Sequence, residues 1–548
     1  MSNAVLYFHP DGYDTTGARL MGRHAAGESF LRGFLRHAQV DQFQMWNVTH
    51  QPTERMHALV ERIQRPGRPV RWHGDRSQFG RVGVFNLPVP GLDEEAWARR
   101  PYGEQSYAIC GVTHTTATAA VMRVVGDMML APLHDYDTLI CTSSAVRASI
   151  EAQLDGVREH LAREYGRRQR PEFSRATIPL GVNAGDFATT PAHRKAWRER
   201  LGIPDEAIVA LYVGRFHVRA KMNPALMALA LERAAKLTDR PLYWLNSGWA
   251  ESEQEGEAYH RDTRALCPSV HYVTVDGRPA ETRFSIWSAA DLFISFSDNI
   301  QETFGLTPVE AMAAGLPCVV TDWNGYRDTV RDGEDGFRIA TFAPAPGDGR
   351  DLAYAFAANR LAYDNYVGAA GQFTAIDLAA AARAIADLAD NPDLRARLGA
   401  QAQARARSVF DWSAIIPQYQ ALWAEQDARR RAAVPGPKDP ANPYRPDPFR
   451  LFASYPTHHL DAGCVASLAP GLAWSEAEAV LTSPLAAYSN FQRPTLQETA
   501  EVYAWLSQHG PAAIDAVAAQ FPPHRRPFVR RGLLWMARFG MLVLTPSR

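Results

Sequence analysis

The segment QETFGLTPVEAMAAGLPCVVTD, residues 301–322, carries two glutamates on either side of a glycine turn. Glu302 precedes the turn, and Glu310 falls within the apolar helical pattern that follows it. The two carboxylates can therefore contact different parts of one elongated ligand. The start of a helix leaves backbone N–H groups without helical partners, and such groups bind phosphate or sugar oxygens. We expect this of the N–H groups of Phe304, Gly305 and Leu306.

Strand-like and helical stretches alternate on the N-terminal side of this segment and continue into it. In the first 185 residues the expected strands are VLYF, RVGVFNLPV, SYAICGVTH, TLICTSS and RATIPLGV. The pattern starts again at AIVALYVGR, residues 207–215, and continues through PLYWLNSG, VHYVTV, DLFISFS and PCVVTD. This alternation predicts an α/β protein with two separately wound parallel sheets.

The composition excludes several other classes of protein. With 46% hydrophobic and 21% charged residues among 548, the chain is globular and long enough for several domains. Lys and Arg number 58 against 59 Asp and Glu, so no overall charge attracts nucleic acid. The five cysteines form no C-x-x-C pair, which indicates a reducing compartment. The sequence shows neither a signal peptide nor a membrane span, and it predicts a cytoplasmic protein.

A second group of candidate residues follows the strand ALYVGR. Gly214 and Arg215 end this strand, and Lys221 comes six positions after Arg215. The chain has only four lysines, so a lysine at this place is informative. Two fixed cations can stabilise a negative charge on a ligand without a metal ion.

Together these features resemble glycosyltransferase family 4, the retaining enzymes of the GT-B fold, over roughly residues 1–430. The E-x7-E motif of that family matches Glu302 and Glu310, and its Arg and Lys match Arg215 and Lys221. The resemblance implies that Glu302 and the amides of Phe304, Gly305 and Leu306 hold the donor sugar, and that Glu310 binds the nucleotide ribose. It also implies that Gly214, Arg215 and Lys221 bind the donor diphosphate.

The same resemblance brings in two residues of the first half. His114 follows the strand SYAICGV and is similar to a strand-end histidine of the family that approaches the donor sugar. Family members commonly carry two adjacent glycines near the N-terminus, where this chain has Ala26-Gly27. We expect a helix to begin close to Gly27, and this residue to let the preceding loop approach the donor.

The expected domains follow from these patterns. Residues 1–188 form an acceptor-side lobe, and residues 189–410 form a nucleotide-binding lobe with an insertion at about 341–375. Residues 411–430 form a helix that returns to the first lobe, and residues 431–447 are a linker rich in Pro and Arg. Residues 448–548 predict a small, mostly helical domain, in which three helices and a short strand suggest a winged helix.

Three other clusters are interpreted as structural. Asp135-Tyr136-Asp137 fits a D-x-D pattern but precedes its strand. His458, His459, Asp461 and Cys464 lack the paired spacing of a zinc site. The basic helix from Arg525 to Arg538 is expected to face solvent or another domain. We therefore expect no metal and no nucleic-acid partner, whereas peripheral membrane contact and the oligomeric state stay open.

The resemblance implies a retaining glycosyltransferase that uses a nucleoside-diphosphate sugar, a metal-independent same-face mechanism and no cofactor. His114, Arg215, Lys221 and Glu302 would be its catalytic residues, and the acceptor, whether saccharide, lipid or protein, is open. Two alternatives are also open. The chain could be an epimerase or phosphorylase of the same fold, or a sensor that binds a sugar nucleotide without turnover.

Overall fold

The computed structural model describes residues 3–14, 22–49, 51–166, 173–436, 438–439, 441–488 and 492–547. The chain divides into two compact units, Met1–Pro440 and Ala441–Arg548. The first unit contains two parallel sheets, each with helices packed around it. None of the helices that the described ranges contain is both long enough and apolar enough to span a membrane.

The first sheet has seven parallel strands in the order β3-β2-β1-β4-β5-β6-β7. These strands are β1 (Val5–Phe8), β2 (Phe43–Asn47), β3 (Val70–His73), β4 (Val84–Leu87), β5 (Ala108–Val112), β6 (Thr138–Cys141) and β7 (Ser174–Thr177). The helices of this lobe are α1 (Gly22–His37), α2 (Thr53–Ile63), α3 (Leu92–Arg99), α4 (Ala119–Asp127) and α5 (Ser144–Tyr165). Strands β4, β5 and β6 are buried along their whole length, as continuous apolar runs of parallel sheets are. Strands β2 and β3 were not among the expected strands, because their sequences, FQMWN and VRWH, mix polar with apolar residues. The two strands lie at one end of the sheet.

The second sheet has six parallel strands in the order β10-β9-β8-β11-β12-β13. After α6 (Pro191–Leu201) come β8 (Ile208–Val213), β9 (Leu242–Gly248), β10 (His271–Asp276), β11 (Leu292–Ser295), β12 (Cys318–Thr321) and β13 (Gly336–Ile339). Its further helices are α7 (Pro224–Ala234), α8 (Glu253–Ala265), α9 (Ala280–Ser285), α10 (Leu306–Ala313) and α11 (Tyr326–Thr329). The strand order reverses at β8, which pairs with β9 on one side and β11 on the other. The predicted fold of two Rossmann-like lobes is thereby confirmed, and such reversals open a ligand crevice at the carboxyl ends of the strands.

An insertion interrupts the second lobe after β13. It consists of β14 (Thr341–Phe342), α12 (Arg350–Ala357), α13 (Tyr363–Gly371) and β15 (Ala375–Ile376), and β14 pairs with β15 in antiparallel register. Val367 of α13 is fully buried, and it packs with Ala117 of the first lobe and Ala220 of the second. The insertion therefore lies where the two lobes meet.

The chain then returns to the first lobe. Helices α14 (Leu378–Asp390) and α15 (Pro392–Arg405) are followed by α16 (Trp412–Ala432), which packs against α1. A Cβ on Gly33 of α1 would lie 2.2 Å from the ring of Trp412, so this helix pair packs too closely for any larger residue. The two chain crossings between lobes are hydrogen-bonded to each other: the amide of Val182 donates to Phe410 O at 2.9 Å, and the amide of Trp412 donates to Val182 O at 3.1 Å.

The second unit has its own core and a three-stranded antiparallel sheet in the order β17-β16-β18. Its elements are α17 (Pro448–Leu451), β16 (Val465–Leu468), α18 (Trp474–Leu481), α19 (Leu496–His509), β17 (Ala512–Ala513), α20 (Ile514–Ala518), α21 (Arg526–Arg538) and β18 (Leu542–Thr545). We expected three helices and one strand in this unit, whereas its described residues form five helices and three strands. Strands β16 and β17 are too short to be recognised before their pairing is known.

Two of the three clusters interpreted as structural have structural contacts. Asp137 forms a fully buried ion pair with Arg99, in which both carboxylate oxygens accept from the guanidinium. Asp461 accepts a hydrogen bond from Ser547, and Cys464 Sγ lies 3.6 Å from the carbonyl oxygen of His459. Neither arrangement leaves a group of ligands directed at a metal ion.

The basic stretch of the second unit is partly neutralised by its neighbours. Arg525 precedes α21 and forms a two-point contact with Glu498, and Arg530 pairs with Asp515. Glu498 also completes the capping box with Thr495 that starts α19. These arginines therefore hold the helices of this unit together.

Candidate functional site

The carboxyl ends of the two sheets face each other in the first unit. Ser143 follows β6 and donates from Oγ to the carbonyl oxygen of Thr303 at 2.6 Å, across the two lobes. Thr115 follows β5, and its Oγ1 lies 3.4 Å from the hydroxyl oxygen of Tyr363 in the insertion. Because open α/β sheets bind ligands at this edge, the seam between the lobes is the candidate site.

The loop after β8 directs a cation at the first glutamate of the motif. Lys221 donates from Nζ to Glu302 Oε2 at 2.8 Å, although the two residues are 81 positions apart. The side chains are 22% and 18% exposed, so the pair is largely shielded from water and still reachable by a ligand. The sequence placed both residues at strand ends, and the structure brings them into direct contact.

Glu302 also accepts hydrogen bonds from the turn that follows it. Its Oε1 atom accepts from the amides of Thr303 and Gly305, each at 3.2 Å. We expected the Gly305 amide to be free for a ligand, and this was wrong for the structure as it stands, because the carboxylate of Glu302 occupies it. Burial alone would raise the pKa of Glu302, but the Lys221 ammonium and the backbone N–H donors outweigh burial and lower it. Glu302 is therefore a fixed carboxylate.

Gly305 begins α10 in a conformation that other residues avoid. Its φ is +92°, and a Cβ on it would lie 2.3 Å from the ring of Tyr326. As the N-cap residue, Gly305 has no side chain that could accept from the first turn of α10. Phe304 is buried beside the turn, and Leu306 is the first residue of the helix. The start of α10 thus presents backbone N–H groups and the positive end of its dipole to the seam.

Glu310 lies one turn into α10, next to the chain crossing between the lobes. It lines a small opening together with Asn183, Asp186 and Arg283. Burial raises the pKa of Glu310 to about 7, although the charges of Arg283 and Lys221 oppose the rise. No hydrogen bond to its carboxylate comes from the described residues. Glu310 is a partly buried carboxyl group with unused acceptor capacity.

Arg215 is held more loosely than Lys221. Its guanidinium lies 3.5 Å from the carboxylate of Glu251, which is itself 53% exposed. Exposed pairs of this kind contribute little to stability, so the arginine can exchange this partner for a ligand anion. The amide of Gly214 donates to the carbonyl oxygen of Ser247 at 3.0 Å, which joins the loop after β8 to the end of β9.

His114 lies at the carboxyl end of β5, where the sequence placed it. Its Nε2 donates to the carbonyl oxygen of Pro88 at 2.7 Å. This bond fixes the orientation of the ring and places the proton on Nε2. The loop that contains His114 reaches the second lobe, because Ala117 packs with Ala220 and Val367.

The helix expected to begin near Gly27 begins at Gly22, so that expectation was wrong by more than a turn. Gly27 lies inside α1, where a Cβ would be 2.1 Å from the carbonyl oxygen of Gly12. The residue therefore lets α1 pack against the loop after β1. No clear N-cap signal for the earlier start is present in the sequence, and residues 15–21 lie outside the described part.

The sequence analysis missed three polar residues near the seam, namely Ser144, Asp298 and Asp328. Asp328 of α11 accepts from the amide of Ser144 at 2.5 Å and from its hydroxyl at 2.7 Å, which ties the second lobe to the start of α5. Asp298 is nearly buried after β11, and burial raises its pKa to about 6 against the opposing hydrogen bond from the Asn223 amide. Polar residues directly after predicted strands, as in TLICTSS and DLFISFSD, were the available signal.

Among the described residues, no three His, Cys, Asp or Glu side chains are grouped closely enough to hold a metal ion. Cationic side chains of the seam include Lys221, Arg215 and Arg283. The site thus combines several carboxyl groups with several cationic side chains.

Comparison with known proteins shows which families and structures this chain is similar to. Residues 193–345 match the family described as Glycosyl transferases group 1. The D-inositol 3-phosphate glycosyltransferase of Streptomyces scabiei is 29% identical over 242 residues, which are 43% of this chain and 45% of that protein. The protein of the same name from Streptomyces griseus is 30% identical over 265 residues, 46% of this chain and 47% of that protein. The chain spans about half the length of the curated relatives it matches.

Among solved structures, Anabaena HepE in complex with UDP and glucose has a TM-score of 0.49 and 15% identity to this chain. The similarity covers 77% of this chain and 100% of that one.

Proposed function

We propose that this chain is a retaining glycosyltransferase that moves a sugar from a nucleoside-diphosphate donor to an acceptor hydroxyl without a metal ion. The observation that carries the proposal is the contact between Lys221 and Glu302 at the start of α10, inside the seam between the lobes. The match of residues 193–345 to glycosyl transferases group 1 supports it, as do the names of the relatives.

In this proposal Lys221 and Arg215 bind the donor diphosphate. The charge on the leaving diphosphate increases as its bond to the sugar breaks, and cations fixed in advance stabilise that charge most effectively. Lys221 is already positioned by Glu302, and Arg215 can leave its weak pair with Glu251. The start of α10 adds N–H donors and a partial positive charge.

Glu302 orients the sugar in this proposal, and it does not attack the sugar. Its carboxylate is held by Lys221 and by two backbone amides, so one more hydrogen bond from a sugar hydroxyl fits its remaining acceptor capacity. Phe304, Gly305 and Leu306 supply the backbone beside that sugar. His114, fixed by Pro88, lines the sugar from the first lobe.

Glu310 binds the ribose of the nucleotide in this proposal. Its carboxyl group has unused acceptor capacity and lies in the same seam, and two neighbouring hydroxyls of a ribose are suitable donors. Those donors stabilise the ionised form, so nucleotide binding should lower the pKa of Glu310 from its value of about 7.

Retention follows from a same-face route. The bond between the anomeric carbon and the diphosphate oxygen breaks, and a bond from the acceptor oxygen forms on the same face of the sugar. The acceptor proton passes to the departing phosphate oxygen, so no protein nucleophile is consumed. The anomeric centre is briefly similar to an oxocarbenium ion, and the electrons of the broken bond leave with the diphosphate.

The test is incubation with UDP-, GDP-, ADP- and dTDP-sugars and measurement of nucleoside diphosphate release, followed by NMR of the new anomeric centre. Retention with release of nucleoside diphosphate supports the proposal. An inverted product contradicts retention, and an isomerised donor would identify an epimerase. Binding of a donor without any release would identify a sensor.

A further inference from the structure

The turn that carries Lys221, residues 217–221, is closed by hydrogen bonds between its own residues. The amide of Lys221 donates to the carbonyl oxygen of His217 at 3.1 Å, and the amide of Ala220 donates to His217 Nδ1 at 2.9 Å. These bonds fix the shape of the turn, but they do not fix where the turn lies relative to Glu302. Loops are more mobile than the strands they follow unless other elements hold them. The position of Lys221 therefore depends on what packs against the turn.

Helix α13 of the insertion packs against this turn. Asn365 Oδ1 accepts a hydrogen bond from the guanidinium of Arg219 at 2.5 Å. Asp364 Oδ2 lies 3.7 Å from His217 Nε2. A Cβ on Gly368 would lie 2.7 Å from the Cβ and 3.1 Å from the Cα of Arg219. The backbone of α13 therefore touches the turn directly, with no side chain between them.

The residues that follow α13 contact the loop that carries Glu302. Thr374 donates from its hydroxyl to the carbonyl oxygen of Asp298 at 3.1 Å. The side-chain amide of Asn299 donates to the carbonyl oxygen of Arg219, which joins this loop to the turn of Lys221. The insertion thus contacts both loops of the second lobe whose residues we assign to the donor.

The start of α13 contacts the first lobe. The hydroxyl oxygen of Tyr363 lies 3.4 Å from Oγ1 of Thr115, the residue after His114. One turn further along the helix, Val367 is fully buried and packs with Ala220 of the turn. Helix α13 is therefore held between the histidine loop of one lobe and the lysine turn of the other.

We propose that α13 holds Lys221 in place for the leaving diphosphate, with Asn365 and Gly368 as its positioning residues, an inference that rests on the proposed function. Asn365 anchors the turn through Arg219, and Gly368 lets the helix lie directly against it. A cation fixed in advance stabilises a developing negative charge best, and a displacement of about 1 Å can cost on the order of 100-fold in rate. Neither positioning residue has to touch the ligand.

The test compares two pairs of variants. Gly368→Ala adds a Cβ that would meet Arg219 at 2.7 Å, whereas Gly156→Ala adds the same group inside α5, where nothing lies within 4 Å. Asn365→Ala removes the acceptor of the Arg219 contact, and Asn365→Asp keeps an acceptor there. Asn365 is exposed, so its two variants should fold even if Gly368→Ala does not.

The first measurement is release of nucleoside diphosphate from UDP-, GDP-, ADP- and dTDP-glucose. We expect Gly368→Ala and Asn365→Ala to lower kcat by about tenfold or more, while the KM for the donor changes by less than about threefold. Gly156→Ala and Asn365→Asp should keep the kcat of the unaltered chain. A helix with a purely structural role would give a lower melting temperature at unchanged kcat, and that result overturns the proposal.

The second measurement reports the surroundings of Lys221 without any donor. The chain has four lysines, so reductive methylation with ¹³C-formaldehyde gives few NMR signals, and the Lys221 signal is the one that Lys221→Ala lacks. The methylated amine keeps its charge. This signal should shift in Gly368→Ala and Asn365→Ala and stay in place in Gly156→Ala. An unmoved signal in both α13 variants overturns the proposal. Release of no nucleoside diphosphate by the unaltered chain would contradict the proposed function, and a shifted signal would still support the positioning of Lys221 by α13.

Discussion

Lys221 Nζ lies 2.8 Å from Glu302 Oε2, so the cation that we assign to the donor diphosphate also fixes the carboxylate that we assign to the donor sugar. One contact thereby positions groups for two parts of a single ligand. Both groups stay partly exposed, at 22% and 18%, and the pair can accept a ligand without first being broken.

Replacing Lys221 with alanine should reduce turnover far more than stability. The change removes a cation from the leaving group and leaves Glu302 without its ion-pair partner, and we expect kcat to fall by about 100-fold or more. Melting temperature should fall by only a few degrees, because a partly exposed ion pair contributes about 1 kcal/mol or less. The measurements are steady-state release of nucleoside diphosphate and thermal unfolding.

Lys236→Ala is the matched control for Lys221→Ala. Lys236 pairs with Glu232 at 3.1 Å, on a surface where the lysine is 68% exposed. This variant should keep normal turnover. If Lys221→Ala keeps it as well, Lys221 has no role in catalysis.

Activity should survive treatment with EDTA. Lys221 and Arg215 provide the positive charge that divalent ions supply in other transferases, and both remain after chelation. We expect the rate in excess EDTA to stay within about twofold of the untreated rate. Complete loss, followed by recovery on addition of Mn²⁺, would contradict this mechanism.

Gly305→Ala should destabilise the chain more than Gly333→Ala does. Both glycines have positive φ, +92° and +74°, so both substitutions place alanine in a strained conformation that costs ~1 kcal/mol. Only at Gly305 does the new Cβ meet a neighbour, the ring of Tyr326 at 2.3 Å, whereas nothing lies within 4 Å at Gly333. The clash should add about 1–3 kcal/mol, measured by urea denaturation.

Donor affinity distinguishes the same two glycine variants. Any shift of the turn moves the amide that donates to Glu302, so Gly305→Ala should also weaken binding of the nucleotide sugar. Gly333→Ala should bind the donor normally. Equal stability loss in the two variants would mean that Tyr326 moves aside without cost.

Glu310→Gln should become more stable relative to the unaltered chain as pH rises. Burial raises the pKa of Glu310 from 4.5 to about 7. Between these values the unfolded chain loses a proton that the folded chain keeps, so folding stability falls with rising pH and then levels off. The glutamine variant lacks this loss of stability. The difference in free energy of unfolding between the variant and the unaltered chain should therefore grow by at most about 3 kcal/mol between pH 4.5 and pH 7.

Unfolding of the two proteins at pH 5 and pH 8 measures this difference. The raised pKa of Asp298, about 6, acts in the same direction in both proteins and cancels in the comparison. A constant difference across the pH range would show that Glu310 titrates normally.

Much of the site was predictable because parallel strands end at one edge of a sheet. Lys221 and Glu302 were placed at one site by the family resemblance, and both follow buried strands, whose carboxyl ends lie at the same edge of the sheet. Their direct contact was not predictable, since it depends on how the loops after β8 and β11 fold. The contact of Ser144 with Asp328 was not predictable either, because it depends on how the two lobes are placed relative to each other.

The unpredicted parts of the fold depend on tertiary contacts. Strand β3 alternates exposed and buried residues and becomes a strand by pairing with β2. Helix α1 begins at Gly22, earlier than the sequence pattern indicated, and Gly27 is favoured within it by the nearby carbonyl of Gly12. A cavity lined by Glu302, Ser149 and Trp323 combines residues from five stretches of the chain, and only the tertiary fold brings them together.

The chain passes between the two lobes at the paired crossings at Val182 and Phe410, and a rotation of the lobes would have its pivot there. Glu310 lies close to this pivot, beside Asn183, whereas the cavity bordered by Ser149 and Trp323 contains no residue of the crossings. Rotation about a pivot moves distant walls most, so opening would separate the walls of the cavity and scarcely disturb the surroundings of Glu310. We expect an ordered binding mechanism. The nucleotide would bind first, and the two lobes would then close around the second substrate.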